Sequence, residues 1–112
     1  MIIKHESEVP YQKVEDPKAQ NVYIKWLIGK DSPAPHFHLR QLQVMPRGHT
    51  PLHQHPYEHE VYILRGQGML VREGGTVSLE PGTFALIPPD VKHQFRNPTA
   101  EVLEFLCLIP KM

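Results

Sequence analysis

The stretch His53-Gln54-His55-Pro56-Tyr57-Glu58-His59 places three imidazoles in one short segment. Read as extended chain, His53 and His55 share a face, because side chains alternate along a strand. Neutral imidazole offers a ring lone pair near physiological pH, so a pair spaced this way can close on one metal ion. Pro56-Tyr57-Glu58 then turns the chain and brings His59 back toward the same point.

The flanking sequence reads as short strands and tight turns. Upstream, Phe37 to Met45 sets His38, Arg40, Leu42 and Val44 on one face, and Pro46-Arg47-Gly48 is expected to break that strand. A strand carrying His53 and His55 should follow, then His59 to Leu64, ending at Arg65-Gly66-Gln67-Gly68 in an expected hairpin. Met69 to Arg72, Thr76 to Leu79, Phe84 to Ile87 and His93 to Arg96 continue the series, and Glu101 to Ile109 is the strongest strand. Asn21 to Ile28 alternates in the same way, whereas residues 1–20 are polar and read as an irregular arm with room for one short strand. Helical spacing of apolar residues is nowhere sustained. The predicted fold is therefore all-β, a barrel or sandwich of short antiparallel strands over residues 21–109 in a single domain over 1–112.

Composition narrows the function classes. Lys plus Arg number 12 against 12 Asp plus Glu, so no overall field draws in nucleic acid or an anionic membrane, and neither is expected as a partner. The N-terminal residues lack the apolar run of a signal peptide and no segment is long and apolar enough to span a bilayer, which makes a cytoplasmic address the expectation. One cysteine, Cys107, allows no internal disulfide and no cysteine zinc cage.

His53 and His55, bounded by Gly48 and Gly66 and followed by an acidic or histidine position, resemble the first motif of the cupin superfamily. Its second motif is matched by Gly82, Pro88, His93 and Asn97, with Asp90 at the inner glycine position. Aspartate tolerates left-handed backbone geometry better than most residues, so that turn can survive the exchange. The chain is similar above all to small single-domain bacterial cupins, monocupins with four histidines on manganese. The resemblance implies a double-stranded β-helix, or jelly-roll, barrel holding one divalent transition metal per chain. Manganese is the ion it puts forward; imidazole ligands equally suit iron, copper, nickel and zinc.

Cupins generally place a glutamate three or four residues after the second histidine, where this chain has His59 and Glu60. The two have opposite parity on a strand, and Val61 and Ile63 side with His59, so His59 is the expected inward residue. The implied ligand set is His53, His55, His59 and His93, with Glu60 as the alternative to His59. Four imidazoles leave a divalent ion its full charge and two octahedral positions open, which suggests chemistry more than scaffolding. The expected pocket wall is Arg40, Tyr57, Leu103, Phe105, Cys107 and Ile109, with Glu60, Tyr57 and Arg40 as candidate catalytic groups. Arg40 would be a costly inward charge unless it meets an anion, and is otherwise a solvated arginine. Cys107 reads as a small buried hydrophobe, because no histidine or basic residue adjoins it in sequence. His5, His36, His38 and His49 read as solvent-facing, with His38 the one that could look inward.

Three functions follow from the resemblance. The first is an oxygenase-type oxidoreductase, dioxygenase-like, using O2 or peroxide on a small apolar or aromatic substrate, with oxidative C=C cleavage as one form. The second is a redox-neutral metal-dependent isomerase or lyase. The third is a non-catalytic small-molecule sensor. A homodimer is expected, since exposed sheet edges and the N-terminal arm could pair with a neighbour.

Overall fold

The structure, a computed structural model, describes residues 1–111. A short 3-10 turn at Glu6–Glu8 precedes nine strands: β1 (Gln12–Lys13), β2 (Gln20–Ile28), β3 (Phe37–His49), β4 (His59–Arg65), β5 (Gly68–Arg72), β6 (Gly75–Leu79), β7 (Phe84–Ile87), β8 (His93–Arg96) and β9 (Leu103–Pro110). They form one curled antiparallel sheet in the order β6-β5-β8-β3-β9-β4-β7, with β2 paired to β3 and β1 to β2. Alternation decides which side faces in. On β4, His59, Val61 and Ile63 are buried while Glu60, Tyr62 and Leu64 are exposed. On β9, Leu103, Phe105, Cys107 and Ile109 are buried in the same way. These residues close the core with Val22, Leu42, Val44, Leu70, Leu79, Ile87 and Phe95.

Two turn expectations and one strand expectation are corrected. Pro46-Arg47-Gly48 does not end β3; it forms a bulge within it. The register on β2 slips between Gln20, opposite His49, and Val22, opposite Val44, and Arg47 takes a left-handed φ of 65° to absorb the extra residues. A Cβ at position 48 would lie 2.5 Å from the Gln20 carbonyl oxygen, so the strands can approach there only at glycine. The bend carries β3 from its pairing with β9 to a pairing with β8 at His49–Arg96.

Arg65-Gly66-Gln67-Gly68 is not a hairpin, because β4 pairs with β7 and β9 whereas β5 pairs with β6 and β8. The chain crosses there from one side of the barrel to the other. Gly66 has φ 82° and its α-carbon faces the Val102 carbonyl so closely that no side chain fits.

The segment carrying His53 and His55 is also not a strand. It is a loop tied by a single bridge between His53 and His93, with His53 N donating to His93 O at 3.1 Å and His93 N returning to His53 O at 2.9 Å. Asp90 N donates to His55 O at 2.7 Å, so the second motif's turn grips the first motif's loop. Asp90 has φ 63°, the left-handed geometry expected where the usual motif has glycine.

The N-terminal arm is better anchored than its polar sequence suggests. Strand β1 pairs with β2 of the same chain. Lys25, buried on β2, forms an ion pair with the Glu6 carboxylate, donates to Glu6 O at 2.9 Å and lies 4.4 Å from the Tyr11 ring centroid. The Tyr11 hydroxyl donates to Glu104 at 3.0 Å. Outer-face polar contacts thus pin the arm, and the residues that follow, Val14 and Asp16, reach the mouth of the cavity inside the barrel.

Candidate metal centre

The two motif loops and β4 bring four imidazoles together at one end of a cavity of about 190 Å³. Ligand nitrogens of His53, His55 and His93 lie within 4.8 Å of one another, a grouping suited to a metal ion. The His59 ring joins them from β4: its Nε2 is 3.1 Å from His93 Nε2, and its centroid is 5.0 Å from that of His55. His59 is 5 % exposed, whereas Glu60 projects from the opposite, solvent side of the strand.

Ring orientation is set by what the far nitrogens bond. His55 Nδ1 donates to Tyr57 O and His93 Nδ1 donates to Val91 O, each at 2.7 Å. A carbonyl can only accept, so in both rings Nε2 carries the lone pair and faces the cluster. His59 Nδ1 lies 3.0 Å from Cys107 Sγ, which leaves its Nε2 turned toward His93 as well. The stacked Tyr57 ring, 4.0 Å from His55 by centroids and 10° from parallel, fixes the remaining freedom of that imidazole. Outer contacts of this kind orient metal-binding histidines and hold their tautomers.

The cluster's electrostatics suit a cation. Burial, reinforced by the neighbouring imidazoles, pushes His59 down to about 3 and also lowers His53 and His93 from the ordinary histidine range. At neutral pH these rings are neutral and offer lone pairs without first losing a proton. The donor set therefore fits a divalent transition ion: it is all-imidazole and convergent.

Around the cluster, the wall is built by β2, β3, β8, β9 and the arm. Val22, Ile24, Leu42, Phe95 and Phe105 make it apolar; Arg40, Asp16, Thr50, Tyr57 and Cys107 place polar groups on it. Several expectations are corrected here. Glu60, on the outer face, is not positioned to act as base or ligand in the cavity. Leu103 and Ile109 face inward but belong to the packed core, because the cavity occupies only the middle of β9, at Phe105 and Cys107. Leu103 instead packs against Gly68, and Ile109 is the register partner of His38. Cys107 has both a basic residue and a histidine beside it: Arg40 Nη2 donates to its sulfur at 2.7 Å, and His59 lies on its other side. Those neighbours come from other strands, which local sequence could not show. Burial nevertheless holds the thiol above its ordinary range, against the lowering effect of Arg40. His38, the one of the remaining histidines expected to be able to look inward, is buried beside Trp26, and His49 is half-buried against Thr50 and Gln94 where the sequence predicts full solvent exposure.

Sequence reasoning missed Asp16 and Val14. Both sit in a polar arm with no strand alternation, and contacts distant in sequence bring them to the cavity: the β1–β2 pairing, the bond from Val14 N to Val22 O at 2.9 Å, and the Lys25–Glu6 and Tyr11–Glu104 contacts.

Comparison with known proteins agrees with this architecture. A family model described as a cupin domain matches residues 40–109. Over 71 residues the chain is 38 % identical to 1-methylthio-D-xylulose 5-phosphate methylsulfurylase of Rhodospirillum rubrum, a match covering 63 % of this chain and 46 % of that one, so the chain spans about half that relative's length. Among solved structures, the polyketide cyclase RemF of Streptomyces resistomycificus superposes with a TM-score of 0.93 at 33 % identity, over 98 % of this chain and 79 % of that one. A cupin-2 domain of Rhodospirillum rubrum gives a TM-score of 0.83 at 28 % identity, over 99 % and 75 % of the two chains. With the family model spanning both histidine motifs and the barrel strands between and around them, the chain belongs to the cupin family.

Proposed function

We propose that this protein is a metal-dependent cupin enzyme performing redox-neutral chemistry on a small oxygenated molecule: proton transfer, isomerisation or ring closure. The observation that carries this reading is the convergence of His53, His55, His59 and His93 on the wall of a cavity that is apolar over much of the remainder. Manganese is the ion put forward by the resemblance, and iron, copper, nickel and zinc suit the same four imidazoles. When bound, such an ion supplies a Lewis acid that polarises a carbonyl oxygen.

The chain's own residues supply the rest. Asp16 and Tyr57, on the cavity wall, are the groups placed to hold or move a proton. Val22, Ile24, Leu42, Phe95 and Phe105 pack on a carbon skeleton and exclude water. The similarity to a polyketide cyclase runs through almost the whole chain, which favours the redox-neutral reading. A second reading, an oxygen-using dioxygenase-like enzyme, is supported by the donor set itself, since four neutral ligands leave the ion its full charge and raise its redox potential.

The test is metal content after purification without added metal, for the wild type and His93→Ala, followed by turnover of a β-diketone and polyketide-analogue panel. About one divalent ion per chain, lost in His93→Ala, with activity on zinc in the absence of oxygen, supports the proposal. Activity that needs oxygen transfers it to the second reading; wild-type protein that takes up no metal defeats both.

A further inference from the structure

We infer that the cavity takes a substrate bearing an anionic oxygen group, a carboxylate, enolate or phosphate, which pairs with Arg40 while the rest of the molecule reaches the histidine cluster. This rests on the metal-centre reading and adds the substrate's charge to it.

Arg40 faces inward through the alternation of β3, between its register partners Trp26 on β2 and Cys107 on β9. Its guanidinium lies 5.5 Å from the Trp26 ring centroid, and Nη2 donates to Cys107 Sγ at 2.7 Å. Sulfur is a weak acceptor and an indole face is no counter-ion. Arg40 Nε is buried without any partner. Among the described residues the ion pairs within 4.0 Å are Lys25–Glu6 and Arg65–Glu104, so no carboxylate neutralises Arg40. Asp16, a carboxylate on the cavity wall, commits one oxygen to its own loop, accepting from Lys18 N at 2.9 Å, and makes no ion pair with Arg40.

The contrast with Lys25 is informative. On the outer side of the same sheet, that buried cation has a carboxylate, a carbonyl and an aromatic ring. A half-buried guanidinium with a buried, unpartnered Nε, set in a wall of Ile24, Leu42 and Phe105, is costly unless an anion arrives to meet it. Two residues along the same face of β3, His38 Nε2 is also buried without a partner, so among the described residues the buried side-chain polar atoms left unmet gather on one strand beside Trp26. A single sulfur separates the guanidinium from the His59 ring, with contacts of 2.7 and 3.0 Å on its two sides. An anionic group seated on Arg40 is therefore held next to the metal centre, and the planar fork of arginine suits the oxygen pairs of carboxylate and phosphate.

The experiment is calorimetric titration of zinc-loaded and metal-free protein with benzoate, malonate, inorganic phosphate and neutral benzamide at low ionic strength. Wild type, Arg40→Met and Arg40→Lys are compared, with metal content and far-UV circular dichroism measured on each. The expected result is that wild type binds at least one anion and not benzamide. Arg40→Met then loses that affinity at least tenfold with zinc content unchanged, and Arg40→Lys falls between. The tighter arm, carboxylate or phosphate, identifies the group. Equal affinity in Arg40→Met, or no anion held by wild type, overturns the inference. Should Arg40→Met fail to fold, the benzoate-to-benzamide comparison and Arg40→Lys decide. If wild type takes up no zinc, the metal reading fails by itself, and anion binding to the metal-free protein with and without Arg40 still judges this inference.

Discussion

Replacing Asn97 by alanine is expected to cost about 4 kcal/mol of folding stability, the high end for a single substitution. The side chain is 1 % exposed and all its polar capacity is used inside the protein. Nδ2 donates to Val44 O at 2.9 Å and Glu101 O at 2.6 Å, while Oδ1 accepts from Thr99 N at 3.0 Å and Thr99 Oγ1 at 2.7 Å. Each intramolecular hydrogen bond contributes about 1 kcal/mol net, and each buried partner stranded by truncation adds roughly 1–3 kcal/mol. The Thr99 bonds lie nearer solvent, where water can replace them, so the sum sits near 4 rather than at the upper limit. Against a total stability of about 5–15 kcal/mol for a domain, this is a large fraction, equivalent to a melting point lower by roughly 15 °C. Urea denaturation followed by far-UV circular dichroism reads it directly. Asn97→Asp is the informative companion: it keeps the size and the acceptor but turns a carboxylate toward two carbonyl oxygens, and should lose comparable stability. An Asn97→Ala variant within about 1 kcal/mol of wild type would refute the claim that this network fastens the second motif to the barrel.

The metal-free protein should lose stability on mild acidification. His59 has a folded-state value of about 3 against 6.5 for the ordinary group, so below about pH 6.5 the unfolded chain takes up a proton that the folded one refuses. The loss for His59 alone is about 2 kcal/mol between pH 7 and pH 5, with His53 and His93 acting in the same direction; equal denaturation midpoints at the two pH values after chelator treatment would contradict this. Tyr11→Phe removes the hydroxyl that bonds Glu104 and should cost about 1–2 kcal/mol by thermal melting. In the wild type, burial and the Glu104 bond hold this phenol well above its ordinary value, so the stability it provides is present below about pH 10 and is lost as pH rises further. Gly66→Ala must put a side chain against the Val102 carbonyl at φ 82°, and is expected to lower stability by roughly 2 kcal/mol or more, measured in the same melts.

Where the chain's physics is local, the sequence was readable. The alternation His59-Val61-Ile63 against Glu60-Tyr62-Leu64 marks the inward face of β4 without help from any other strand. Asp90 likewise announces its left-handed turn by residue type. What failed depended on partners distant in sequence. The spacing of His53 and His55 predicts neighbours on a strand, yet their rings meet because a loop is bridged to His93. The Gly66–Gly68 turn has hairpin residues, but pairing partners are a property of the whole sheet and the chain crosses there instead. Arg40 and Cys107 lie far apart in the chain and are opposite each other only in the β3–β9 register, so the setting of that thiol was invisible until the strands were aligned. Asp16 lacks any local pattern, since backbone pairing with β2 and side-chain contacts to β2 and β9 decide where its segment lies.

The mutual backbone bonds between residues 53 and 93, together with the Asp90–His55 contact, bear on how a newly made chain matures. Strands β4 to β7 intervene, and the two loops cannot join until that intervening chain has found its place on both sides of the barrel. Pairings of such long sequence separation form late. The imidazole nest is thus an outcome of the finished fold and not a seed for it, so adding metal should slow unfolding without speeding refolding.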